Sequence, residues 1–324
     1  MQARPAAELG AIVGASLVFA IVAPLDVAVF GLLVVGVTHV LLEVRYVIGR
    51  YPPAVSGHPA IILQAGVLML VAVRLASAQS WGPSAEILLW TVLVVGALVH
   101  VVAPSRPVWA AGLVGVTLVV ALAAWSDPVS WFVVLAHAHN VVAAAFVWDW
   151  TRTVASRRTR SHVRTAIAVW MIVVPLALLG GALDVVTGTG SRLASGVVPI
   201  KTTLATVTPP SLRSGAVPTR LLALFAFAQL VHYGVWCWWL PRHAPDVTAA
   251  SSTTRAGKWL QGARLLVIAT VGTAAVVGAA TVGYSDGRTV YSAFAAYHAY
   301  LEFPVLVVLF ATWTAGGRRA HLAP

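Results

Sequence analysis

Cysteine is almost missing from this chain. The single Cys237 lies in an apolar stretch, so neither a disulfide nor a thiolate-bound metal fits the sequence. Carboxylates are nearly as scarce, with ten aspartates and glutamates in 324 residues, and charged residues of both signs make up only 10%. Soluble domains carry about 25%. The shortage excludes a soluble globular enzyme. What is present is 59% apolar, with mean hydropathy +0.87. Apolar runs of about 20 residues, enough to cross the hydrocarbon core of a bilayer, recur from end to end. The fold class expected is therefore all-α, a polytopic integral membrane bundle forming one embedded domain over residues 1–324.

Ten spans are expected, at about 6–24, 27–48, 59–79, 84–104, 107–125, 128–150, 165–186, 218–240, 260–284 and 289–314. Pro24, Pro59, Pro104, Pro107, Pro128, Pro218 and Pro241 fall at or near their ends, where a missing N–H costs little. The first span also fits a secretory signal, with Arg4 ahead of an apolar run from Leu9.

The formal charge of +11 would suggest nucleic acid in a soluble protein. In a membrane protein the cations mark cytoplasmic loops instead. With both termini cytoplasmic, one side holds Arg45, Arg50, Arg106, the run 152–164, the group 242–264, and Arg318 with Arg319. The other side holds Asp26, Asp127 and Asp286. The expected setting is the cell (inner) membrane, with lipids as partners and no nucleic acid. Arg157-Arg158-Thr159-Arg160 fits a topology anchor first and a lipid-headgroup contact second. A long extracytoplasmic connection, about 187–217, is rich in Gly, Ser, Thr and Pro and suits a lid, a re-entrant segment or slack chain.

Six histidines lie within the apolar spans: His39, His100, His137, His139, His232 and His298. Ionisable groups in a bilayer are costly and mark function by default. His39 with Glu43, and His298 with Glu302, each follow His-x-x-x-Glu, which places imidazole and carboxylate on one helix face. His39, His139, His232 and His298 lie at similar depth, within about 8 Å along the membrane normal at 1.5 Å rise per residue. Four imidazoles from four helices at one level form a candidate metal set. His137 sits about 200° around the helix from His139, so only one of them can enter a common site. His139 is the better candidate, with Asn140 beside it to support a ligand or substrate. His100 lies deeper, as an outer partner or a separate residue.

Trp236, Trp238 and Trp239 fit the interfacial belt, with Trp236 alternatively lining a substrate channel. The donor set of imidazole and carboxylate suits nonhaem iron(II) best; zinc, a di-iron centre and haem b remain open.

The stretch Gly36-Val37-Thr38-His39-Val40-Leu41-Leu42-Glu43 resembles the opening motif of the Brp/Blh carotenoid-cleaving family, G-x-x-H with an acid four places on. Leu230-Val231-His232-Tyr233-Gly234 is similar to a His-aromatic-Gly motif, and His139 precedes Phe146-Val147-Trp148 much as a family histidine precedes Phe-Val-Trp. His298 with Glu302 resembles the late His-plus-acid motif. Val40 stands where the family has glycine, Ala143 where it has a partner residue, and His-Tyr-Gly comes later in the chain than its counterpart.

The resemblance implies an apolar multispan protein that splits a carotenoid with dioxygen through histidine-bound iron. On that reading His39, His139, His232 and His298 hold the metal, while Glu43 and Glu302 fix the imidazoles or ligate directly. The substrate class would be lipophilic: carotenoid, other isoprenoid or lipid. A b-type haem oxidoreductase or electron carrier, and a proton- or metal-coupled transporter, are the competing readings.

Overall fold

Pro24, Pro107, Pro128, Pro218 and Pro245 stand in the first turns of helices, where proline's fixed φ favours the start and its missing N–H is not needed. In the computed structural model every described helical or turn element is of this all-α kind, and no strand occurs among the described residues. The description covers residues 4–52, 58–76, 80–187, 193–194, 198 and 200–314. His321, Arg318, Arg319, Val197 and Pro199 lie outside it.

The helices are α1 (Arg4–Val22), α2 (Pro24–Arg50), α3 (His58–Leu75), α4 (Gly82–Val102), α5 (Pro107–Ser126), α6 (Pro128–Thr153) and α7 (Arg157–Leu179). They continue with α8 (Ile200–Val207), α9 (Val217–His243), α10 (Pro245–Ser251), α11 (Arg255–Trp259), α12 (Gly262–Val282) and α13 (Tyr284–Thr314). Nine of them, among the described residues, are long and apolar enough to cross a membrane, and Ala60–Leu75 is a shorter apolar helix. The protein is thus an all-α polytopic membrane protein, with nine such helices where ten full spans were expected.

Two boundaries correct the sequence reading. Helix α7 starts at Arg157, about two turns before residue 165, because the Ser156 hydroxyl accepts the Thr159 N–H at 3.3 Å and caps it. The arginine run is therefore the opening of a helix instead of a loop. The same helix stops at Leu179, since Gly181 at φ +79° cannot continue it. Asp184 follows in the turn and takes Arg220 (Nε to Oδ1 3.0 Å), which holds its carboxyl below the usual range. The connection 187–217 is not slack throughout. Residues 200–207 form α8, which packs on α9, and Arg213 donates to the Ala205 carbonyl at 2.8 Å, satisfying a helix-end acceptor.

The chain packs as two compact units. The first comprises Met1–Leu42, Phe132–Asp246 and Val267–Arg288. In it α1, the opening of α2, the end of α7 and α8 all pack on α9. Gly31 permits the close approach of α2 to α9, since a Cβ there would lie 3.3 Å from the Tyr233 ring and 3.4 Å from the Gln229 amide. Trp239 donates its indole N–H to the Pro5 carbonyl at 2.9 Å, which ties α1 to α9 as part of the packed unit.

The second unit comprises Glu43–Trp131, Val247–Leu266 and Thr289–Pro324. Within it α3, α4 and α5 pack in chain order, and Arg106 donates to the Thr314 carbonyl at the end of α13.

Four helices contain a π-turn: 31–35 in α2, 98–102 in α4, 169–173 in α7 and 235–239 in α9. Each inserts one residue and rotates everything beyond it. Trp236 and Trp239, in the α9 π-turn, are buried at 1% and 0% exposure, while Trp238 is 51% exposed. Of the three rings, only Trp238 is exposed, and the burial of Trp236 and Trp239 removes them from an interfacial belt.

Candidate metal centre

Three imidazoles of the first unit converge, each from a different helix: His39 from α2, His139 from α6 and His232 from α9. Ring centroids of His39 and His232 lie 5.2 Å apart, and those of His139 and His232 4.6 Å apart, in edge-on arrangements. Each ring offers one nitrogen, and these nitrogens lie within 4.8 Å of one another. Two nitrogens bound to one ion at about 2.1 Å can be at most about 4.2 Å apart. Closing the difference asks each ring for a shift of a few tenths of an ångström. His39 and His232 are fully buried and His139 is partly accessible.

Local structure explains why the rings stand there. The π-turn Gly31–Val35 directly precedes the turn bearing His39. Tyr233 packs on His39 with ring centroids 4.4 Å apart, and Gln229 donates to the Tyr233 hydroxyl at 3.0 Å. Trp236 lies edge-on to His232, and Phe146 of α6 packs against Trp236. Trp236 is thus a packed wall behind His232.

His137, His243, His162 and His100 are placed elsewhere. His137 contacts the Val207 carbonyl of α8 at 2.9 Å and meets the Phe225 ring edge-on. Two residues of offset send it away from the ring of His139, and α8, which the sequence reading left within a loop, supplies its partner. Asn140 is buried at 5% exposure beside His139. His243 pairs with Glu8 at 3.0 Å at the far end of α9. His162 and His100 are exposed on α7 and α4.

In the second unit α13 carries His298 and Glu302, at 0% and 1% exposure, and the end of α2 carries Glu43 at 1%. The His298 Nδ1 faces the Phe294 carbonyl one turn back at 3.5 Å. Glu43 and Glu302 hydrogen-bond to each other. Neither acid faces lipid.

A second polar group in this unit has no counterpart in the sequence reading. Arg74 of α3 and Tyr300 of α13 both donate to the same Glu86 oxygen on α4, and Tyr297 donates to Gln64 of α3. Glu86 is 1% exposed. The signal was present: two lone opposite charges on consecutive apolar spans, twelve residues apart. Together they brace the helix that carries His298 and Glu302.

No protein-family model, curated protein or solved structure matches this chain. The chemistry therefore rests on the residues. Neutral imidazoles in an apolar surround, without thiolate, suit zinc, iron and similar divalent ions.

Proposed function

We propose that this protein is a membrane-embedded oxygenase whose nonhaem iron(II) is held by His39, His139, His232 and His298 and whose substrate is lipophilic. The observation that carries this reading is the convergence of His39, His139 and His232 in an apolar chain. His298 is proposed as the fourth ligand because it shares the His-x-x-x-Glu pattern of His39. Glu43 lies one turn beyond His39 on α2, Glu302 one turn beyond His298 on α13, and the two acids are bonded to each other. The likeness of residues 36–43 and of the His-Tyr-Gly stretch to the Brp/Blh family supports a carotenoid or related isoprenoid as substrate.

Iron(II) with open positions would supply dioxygen activation. The protein's own contribution is to hold and orient. Tyr233 and Trp236 wall off the rings, and Asn140 stands beside His139 as a polar group for ligand or substrate. Glu43 and Glu302 would fix the imidazoles or ligate the metal directly. Substrate would enter from the bilayer on the side of His139, the partly accessible ring.

Metal analysis combined with an optical spectrum tests the reading directly. Iron near one per chain, no haem bands, and oxygen-dependent conversion of β-carotene to aldehyde are expected. A haem spectrum, or purified protein without bound metal, would overturn it.

For topology we propose cytoplasmic termini in the cell membrane, from the distribution of cations. Reporter fusions after Arg160 and after Lys201 should report opposite compartments. The same compartment for both would sink this arrangement.

A further inference from the structure

A cleft in the first unit, away from the histidines, is lined by Trp148 at the end of α6 and by Arg157, Arg160, Ser161, Arg164 and Thr165 on α7. These α7 positions follow i, i+3, i+4, i+7 and i+8, so they form one face of the helix. No carboxylate lines the cleft. Two of its arginines are already posed. Arg164 donates through Nε to Thr151 Oγ1 at 3.1 Å and lies over the Trp148 ring at 4.3 Å. Arg160 donates through Nη2 to the Val154 carbonyl at 3.1 Å. Its Nε is buried without a hydrogen-bond partner among the described residues. Arg157, in the first turn of α7, is exposed. Backbone N–H groups at a helix start add partial positive charge there.

We propose that this cleft is a phosphate-binding site. Guanidinium forks match phosphate oxygens, and the Ser161 and Thr165 hydroxyls offer further donors on the same face. Two sources carry that chemistry: an anionic lipid headgroup and free phosphate. The half-exposed Trp148 beside the arginines, at the end of a membrane-length helix, is the setting of a headgroup at the bilayer interface.

The test uses the full chain, purified in detergent and stripped of lipid. Native mass spectrometry would count retained phosphatidylglycerol against phosphatidylcholine, with and without inorganic phosphate as competitor. Arg157→Gln combined with Arg160→Gln should cut retained phosphatidylglycerol about tenfold, equivalent to about 1.4 kcal/mol. Arg160→Lys, which keeps a charge, should retain part of it. Retention that survives added phosphate identifies the lipid as the source. Arg-dependent, saturable protection by phosphate alone, with no lipid preference, identifies free phosphate. Circular dichroism confirms that the double variant keeps its helices; if it does and still binds as the parent does, the proposal fails. It fails equally if Arg255→Gln, placed on the other unit, weakens retention as much, since that would be general charge attraction.

Discussion

Replacing His232 by alanine should reduce metal affinity by about a hundredfold or more. Loss of an outer partner alone costs about 10–100-fold, and His232 is itself a proposed ligand. The His232 ring lies 5.2 Å from that of His39 and 4.6 Å from that of His139, so its removal takes away one of the converging donors. His39→Ala and His139→Ala should behave alike. His137→Ala should keep its metal, because that ring is engaged with the Val207 carbonyl. The measurement is metal per chain after dialysis against a weak chelator. Full metal in both His39→Ala and His232→Ala would rule out the site. His298→Ala is read separately: retained metal would leave a three-histidine centre in the first unit. Bound metal should also fall as the pH is lowered, since protons compete for the same imidazole lone pairs.

Replacing Arg74 by leucine should destabilise the protein by about 3–5 kcal/mol, because Glu86 would remain buried without its cation. Arg74 is 23% and Glu86 1% exposed, so water cannot make good the loss. The double replacement Arg74→Leu with Glu86→Leu should be milder than Arg74→Leu alone. It removes the charge together with its partner and leaves only the Tyr300 hydroxyl to be satisfied. Unfolding in mixed micelles would measure both. An Arg74→Leu variant as stable as the parent, or a double variant worse than either single one, would show that the pair does not brace α13.

Much of this was legible in composition and spacing. Apolar runs of bilayer length and the scarcity of charge identify a polytopic helical protein, because a bilayer leaves a continuous backbone few other forms. Prolines near helix starts mark most boundaries. Histidines at similar depth on separate spans single out His39, His139, His232 and His298, since ionisable groups in lipid must find partners. The arginine run was seen, but as a loop. Ser156 capping turns it into a helix face, and only a helix brings Arg157, Arg160 and Arg164 onto one side.

By itself the sequence determined the class of the protein, its candidate ligands and the absence of thiolate chemistry. Those follow from residue type and from the rise of a helix, both of which are local. The tertiary structure alone decided which way each ring points. Sequence spacing assumes an unbroken period of 3.6, and the π-turns at 31–35 and 235–239 shift the face of α2 and α9 next to His39 and His232. It was likewise the packing of α8 on α9 that gave His137 a carbonyl to contact, and the pairing of α3 with α4 that joined Arg74 to Glu86. Such contacts join residues far apart in the chain, and no period along one helix contains them.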